Sequence, residues 1–567
     1  MPATPVPAQN SIPIVVSRWS DRGRRAAPVS LRNFTLRRPT LTLLASLWLV
    51  ALGNFPFWRA VWQDVGGLRT DNFLFLLSLP LLVLAWVYLL LSLLTWGRAT
   101  KAVLGAVLLS SAAASYFTYT YGMLLDHSMI ANVVQTHAAE AQDLVSWRLS
   151  AWLLVFGLLP ALLIARVRVA GGPATRELGI KALGMVAAAA CLVAVLFVNY
   201  QHYASLLRNH RELRLMLVPH NIVAAAHGYL KRYLAAPIVL EVVGADATRA
   251  VAAARAGKPT LTMVVVGETA RAANFSLNGY PRPTNPELAR QHVLSFSDAS
   301  ACGTSTAVSL PCMFLDVGRD RFEDTLALRR EGLLDVLQRA GVTVQWRDNN
   351  SGCKGVCDRV PYEDLSNLKV PGLCRDGECY DEILLHGLQS RIDRLDGDAV
   401  IVLHMRGSHG PAYFKRYPPA FGYFTPVCNT VQLDHCLRQN IVNAYDNTLR
   451  YTDHVLSQTI DLLRSNAARF DTAMLYVSDH GESLGENGLY LHGIPYALAP
   501  DEQVHVPMLL WLSEGMRERP GIDTACLEAR QREPVSHDYL FHSVLGLSNV
   551  RTSVYRPERD LFGPCKS

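Results

Sequence analysis

Five apolar runs crowd the first 200 residues, at roughly 41–61, 73–96, 102–125, 149–166 and 181–199, and nothing comparable follows them. About 20 apolar residues in a helix cross the ~30 Å hydrocarbon core of a bilayer, so each run is predicted to span a membrane. The chain is half hydrophobic overall, but that average hides a split. Beyond about Leu240, mixed charge, Gly and Pro interrupt short apolar segments, as in a water-soluble domain. The sequence is thus built for two solvents.

The first run starts near Leu41, too deep for a short signal peptide, and no small-residue cleavage pattern follows, so an uncleaved anchor is expected. Arg18, Arg22, Arg24, Arg25, Arg32, Arg37 and Arg38 precede it. Arg98 and Lys101 follow the second run, and Arg166, Arg168, Arg176 and Lys181 follow the fourth. The opposite side offers only Arg59, Arg69 and Arg148, so the N-terminus is predicted to be cytoplasmic and, with five spans, the C-terminal part extracytoplasmic. The expected divisions are a disordered Pro- and Arg-rich segment 1–40, a membrane domain 41–200, an amphipathic bridging segment 201–245 and a catalytic domain 246–567.

Ten of the eleven cysteines lie between Cys302 and Cys565, an even number that suits disulfides in an oxidising compartment, while Cys191 sits in the apolar half. A zinc knuckle at Cys353 and Cys357 is the alternative, but the close pairs do not form two CxxC halves of one cage.

From Leu261 onward, apolar segments at Leu261–Val266, Val342–Trp346, Ala399–His404, Ala473–Val477 and Met508–Leu512 alternate with helical stretches. That pattern predicts a mostly parallel sheet sandwiched by helices, with its site at the carboxyl ends of the strands. Three segments run into polar groups: Gly267-Glu268-Thr269, Gly407-Ser408-His409-Gly410 and Ser478-Asp479-His480-Gly481-Glu482. Glu268, Asp479 and His480 offer oxygen and nitrogen ligands for a cation such as zinc and leave a place for a nucleophile. Thr304, Ser305 and Thr306, between Gly303 and a predicted helix, are candidates; each could equally cap that helix, and spacing does not choose among them.

Val266-Gly-Glu-Thr-Ala-Arg271, Asn278-Gly-Tyr280, Cys302-Gly-Thr-Ser-Thr306, Arg347-Asp-Asn-Asn350, Ser408-His-Gly-Pro411, Ser478-Asp-His-Gly-Glu-Ser483 and Gly485-Glu-Asn-Gly488 to His492-Gly493 together resemble the lipid A phosphoethanolamine transferases. That group includes colistin-resistance enzymes and belongs to the alkaline phosphatase and sulfatase superfamily. The resemblance implies Glu268, Thr306, Asp479 and His480 as zinc ligands, Thr306 as nucleophile, and Glu482 beside a second zinc. It also implies phosphoryl and substrate contacts from Asn350, Lys354, His409 and His492, the two histidines also serving in proton transfer. Asn132, Thr136 and Glu140, at i, i+4 and i+8, would meet the donor headgroup; a solvated helix face is the alternative. Disulfides Cys302–Cys312, Cys374–Cys379 and Cys428–Cys436 are implied likewise, leaving Cys353–Cys357 and Cys526–Cys565 by elimination.

The function so implied is transfer of phosphoethanolamine from phosphatidylethanolamine to a lipid A phosphate in a bacterial inner membrane, through a phosphoethanolamine-threonine intermediate, lowering susceptibility to polymyxins. The expected protein is a membrane-embedded monomer with no nucleic-acid partner. Two rival readings are a relative that serves a core-sugar or glucan acceptor or moves phosphoglycerol, and a catalytically dead sensor or scaffold; the intact ligand set argues against the latter.

Overall fold

Among the described residues, four helices are long and apolar enough to cross a membrane, and a bent pair, counted as one crossing, brings the number to five. The computed structural model describes residues 35–565 apart from 66–72, 137–140, 143, 200–202, 204–205, 207–209, 211, 234–238, 250–256 and 376. Most of the segment expected to be disordered, 1–34, and Glu140 lie outside the described residues.

The first span is broken. Helix α1 (Arg38–Trp48) passes through a π-turn, Leu49–Gly53, and restarts after Asn54 as α2 (Phe55–Val65), the two halves meeting at 52°. Asn54 leaves helical geometry at φ −101° and ψ 27°, and Pro56 has no N–H to continue the ladder. The Asn54 amide donates to the carbonyls of Leu49 and Val218 and accepts the Val218 N–H, so a buried side chain satisfies the groups that the break frees.

The remaining spans are α3 (Phe73–Leu94), α4 (Thr100–Tyr121), α6 (Trp147–Arg166) and α7 (Ala174–Val198); a short helix α5 (His127–Gln135) lies between α4 and α6. Helix α7 begins at Ala174, not 181, because its polar first turns find partners. Glu177 pairs with Arg38, and Lys181 Nζ donates to the Thr95 carbonyl from 3.5 Å over the Trp96 ring. Within the expected bridging segment, α8 (His220–Tyr233) is the main described element.

The second half is an eight-stranded sheet. Its strands are β1 (Thr260–Gly267), β2 (Leu294–Ser300), β3 (Thr343–Asp348), β4 (Tyr362–Asp364), β5 (Ala399–His404), β6 (Asp471–Ser478), β7 (His505–Leu512) and β8 (Val535–Ser536). The spatial order is β8-β2-β7-β6-β1-β5-β3-β4, with β7 alone running antiparallel to its neighbours. All five strands expected from sequence are present; β2, β4 and β8 were not anticipated, two being short and β2 half polar.

Central strands are apolar on both faces, and alternate residues divide between two cores. Val264, Val266, Val400, Val402, Leu475 and Val477 pack with α9 (Thr306–Met313), α10 (Leu333–Arg339) and α12 (Asp538–Leu547). Met263, Val265, Ile401, Leu403, Met474 and Tyr476 face α11 (Arg438–Ser465). This second core also takes in Tyr116 and Tyr121 of α4 and Leu149 of α6, so the membrane helices and the sheet share one apolar cluster. The five disulfides pair as expected, and Cys191 is half-buried on α7.

Candidate active site

The parallel strands β1, β3, β5 and β6 all end toward one edge, and each contributes there: Glu268 after β1, Asn350 after β3, His409 after β5, Asp479 and His480 after β6. Two glycines allow the crowding. A Cβ on Gly267 would lie 2.4 Å from the Tyr476 hydroxyl, and Gly407, at φ 54°, would place one 2.5 Å from the Glu268 carbonyl.

Glu268, Asp479 and His480 are wholly buried and offer ligand atoms within 4.8 Å of one another. His480 Nδ1 donates to the Gly481 carbonyl at 2.9 Å, which turns Nε2 inward. That Nε2 lies 3.2 Å from Glu268 Oε1 and 3.3 Å from Asp479 Oδ2, and neither oxygen accepts a hydrogen bond. Asp479 Oδ1, by contrast, accepts the backbone N–H groups of Thr269 and His480.

Burial and the charge of Glu268 push the Asp479 carboxyl up. Glu268 is held low against burial by its histidine neighbours, His480 foremost. Two inward carboxylate oxygens without hydrogen-bond partners, beside an imidazole nitrogen, fit a divalent cation, whose charge would remove the repulsion that otherwise falls on Asp479. Glu268, Asp479 and His480 would hold such an ion, and it would supply a Lewis acid to an adjacent hydroxyl.

Thr306 is the first residue of α9 and half-buried; its Oγ1 donates to Glu268 Oε2 at 3.0 Å and sits 3.5 Å from His480 Nε2. Thr304 Oγ1 is instead committed to the Ile494 carbonyl at 2.7 Å, and Ser305 is buried as the helix cap without a side-chain capping bond. Geometry thus separates three hydroxyls that spacing left equivalent. The N-terminus of the eight-residue α9 adds backbone donors where a phosphoryl oxygen would lie.

Asn350 Nδ2 donates to Glu268 Oε2 at 2.7 Å and to the Met405 carbonyl, fixing the carboxylate that Thr306 touches. Glu482 has both oxygens engaged, by the Tyr413 hydroxyl at 2.9 Å and His492 Nδ1 at 3.1 Å, and stands outside the three-residue cluster. The His492 ring lies 4.3 Å from that of His480 and 5.3 Å from that of His409. Lys354, held at φ 50° beside the Cys353–Cys357 disulfide, donates from Nζ to the carbonyl and hydroxyl of Ser351.

Thr306, Lys354, His409 and His492 line a cavity of about 410 Å³ that continues past Asn132 and Thr136 to Ser110, Ala113 and Phe117 of α4. Sequence reasoning missed the groups beneath the site. Ser309 Oγ donates to the Asp479 carbonyl, and burial pushes His537 down to about 4, so its neutral ring accepts the Cys302 N–H and donates to the Ser478 carbonyl. Ser309 lies one helical turn from Thr306, a spacing that could have flagged it; His537 stands alone in sequence with no such signal.

Two family models match the chain: a sulfatase model over residues 260–550 and a model described as phosphoethanolamine transferase EptA/EptB over 82–234. The chain is 42% identical to phosphoethanolamine transferase EptA of Salmonella typhimurium, over 94% of its own length and 99% of the relative's. It is 40% identical to phosphatidylethanolamine transferase Mcr-1 of Escherichia coli, covering 83% and 89%. The solved structure of the integral membrane lipooligosaccharide phosphoethanolamine transferase A of Neisseria meningitidis superposes with a TM-score of 0.91 at 36% identity, covering 94% of this chain and 99% of that one.

Proposed function

Because the chain belongs to the EptA/EptB phosphoethanolamine transferase family, we propose that it moves phosphoethanolamine from phosphatidylethanolamine onto a phosphate of lipid A at the outer face of the inner membrane, with Thr306 as the group that carries it. The observation that carries this reading is the cavity: it begins among membrane helices and ends on a half-buried threonine hydroxyl that touches a buried carboxylate and imidazole. A lipid is a substrate that could enter from that direction.

Zinc, held by Glu268, Asp479 and His480, would lower the pKa of the Thr306 hydroxyl and draw charge from a phosphoryl oxygen. The chain's own residues do the rest. The hydrogen bond from Thr306 to Glu268 orients Oγ1 and gives its proton a first acceptor. Asn350 holds that carboxylate still. Lys354 and the start of α9 present positive charge and N–H donors to the phosphate. Oγ1 then forms a bond to phosphorus as the bond to the glyceride oxygen breaks, leaving phosphoethanolamine on Thr306. His492, oriented by Glu482, or its neighbour His409 gives the departing diacylglycerol oxygen its proton. In the second half-reaction a lipid A phosphate oxygen bonds to phosphorus as the Thr306 Oγ1–P bond breaks and Oγ1 regains its proton, and the added ammonium weakens attraction for cationic peptides such as polymyxins.

The positive-inside pattern supports a cytoplasmic N-terminus, and the disulfides support a periplasmic site. Mass analysis of lipid A from cells expressing the chain should reveal a phosphoethanolamine adduct that Thr306→Ala reduces at least about 10³-fold. An adduct on core sugar or glucan in place of lipid A would move the reading to another acceptor. Full activity in Thr306→Ala would sink the nucleophile.

A further inference from the structure

His492 follows a short hairpin, Ser483–Leu484 paired with Tyr490–Leu491, whose tip reaches the membrane helices. Gly485, Asn487, Gly488, Leu491 and Gly493 all take φ between 52° and 100°, a region that side chains larger than hydrogen seldom enter. Leu491 is the costly member, a branched apolar residue at φ 66°. Backbone of this kind persists only where its surroundings over-determine it.

The sheet domain holds the hairpin by polar ties. The buried Gln503 amide donates to the Leu491 carbonyl at 3.0 Å and accepts the Ile494 N–H at 3.2 Å. Gly493 N–H donates at 2.8 Å to the carbonyl of Thr304, two residues before the nucleophile, and Glu486 pairs with Arg271 and Arg438. The membrane domain holds it by apolar contact. Leu489 lies on Gly122, where α4 ends, so closely that a Cβ there would stand 2.8 Å from Leu489 Cδ2. Met129 of α5 lies on Gly493 in the same way, with its Cε 2.8 Å from where a Cβ would be. These two seats flank His492 in the chain, and Leu484 and Leu491 share a buried cluster with Tyr116 and Tyr121 of α4. His492 Nδ1 is tied to Glu482, which leaves Nε2 for the cavity that the ring lines. Leu489 itself lies outside that cavity, so it does not act by touching a donor there.

We propose that the membrane domain completes the active site by seating this hairpin, Leu489 on Gly122 and Gly493 on Met129, and so sets the pose of His492. Leu489 and Met129 are positioning residues that act through His492, and the inference rests on the part His492 plays in the transfer proposed above. Without α4, Leu489 would stand in water beside the exposed Asn487 and Gly488, so burial of its side chain favours the seated hairpin. The left-handed turn would lose the same cover. The membrane helices thus have a task besides admitting a lipid: they finish the part of the site that meets the headgroup.

Full-length protein in detergent, with lipid A as acceptor, tests this on two donors, long-chain phosphatidylethanolamine and a short-chain, water-soluble analogue. Leu489→Ala should lower kcat about tenfold on both donors and leave KM within about twofold, because a displaced partner costs rate more than binding. In a His492→Ala background the same change should cost less than about twofold, since the group it positions is gone. Leu489→Met, which refills the contact, should recover most of kcat. Wild-type kcat in Leu489→Ala overturns the proposal, as does a rise in KM in place of the fall in kcat, or a tenfold cost that persists without His492. A His492→Ala enzyme as fast as the wild type overturns it too. Where the double variant is too slow to measure, the refilled contact decides: Leu489→Met no faster than Leu489→Ala overturns the proposal. No transfer by the wild type from either donor overturns the reaction itself and this inference with it.

Discussion

Two carboxylates and an imidazole buried together are an unstable arrangement unless something positive joins them. Glu268 Oε1 and Asp479 Oδ2 both approach Nε2 of His480 and have no hydrogen-bond partner, and burial with the charge of Glu268 pushes Asp479 up. A neutral amide at position 479 should therefore act oppositely in two states. Without metal, Asp479→Asn should melt at or above the wild-type temperature, because one buried charge is gone. With zinc added, only the wild type should gain, since binding to the folded state raises stability by mass action and the variant lacks a ligand. Thermal melting with and without a chelator, beside zinc content by atomic absorption, reads both; equal zinc content in the two proteins would remove Asp479 from the ligand set. This cluster was legible in sequence because each ligand follows an apolar strand ending in Gly or Ser. Its support was not. Ser309 and His537 work through backbone carbonyls of the ligand loops, and nothing in their own neighbourhoods announces that.

At the scale of elements, the apolar pattern fixed how many spans to expect but not their shape. The first run reads as one helix, yet Asn54 breaks it, and the reason lies 164 residues away in the backbone of Val218. Long-range partners of that kind leave no local trace. Similarly, β7 looks like any buried strand, and its antiparallel direction is set by the chain's route, not by composition. Asn54 makes three hydrogen bonds with the backbone of Leu49 and Val218. Asn54→Leu replaces the amide with an apolar side chain of similar branching and strands those groups in a buried setting, at about 1–3 kcal/mol. Full-length protein in detergent should melt several degrees lower, and protease should cut the segment before α8 faster. A variant as stable and as resistant as the wild type would show that the bend needs no such tie.

The whole molecule joins two solvents through one cavity, and that junction makes the strongest demand on function. Ser110, Ala113, Ala114 and Phe117 fall at i, i+3, i+4 and i+7, so one stripe of α4 lines the wall leading to Thr306. Small residues on that stripe leave room that a larger side chain would fill. Ala113→Trp should therefore obstruct long acyl chains while leaving the distant ligands Glu268, Asp479 and His480 untouched. For phosphatidylethanolamine with long chains, kcat/KM should fall about tenfold or more, since a misplaced substrate loses much of the benefit of positioning. For a short-chain, water-soluble analogue the fall should be much smaller, and zinc content should match the wild type. An equal loss on both donors would mean that α4 acts by holding the sheet domain in place through Tyr116 and Tyr121, which pack into its core, and not by guiding the lipid.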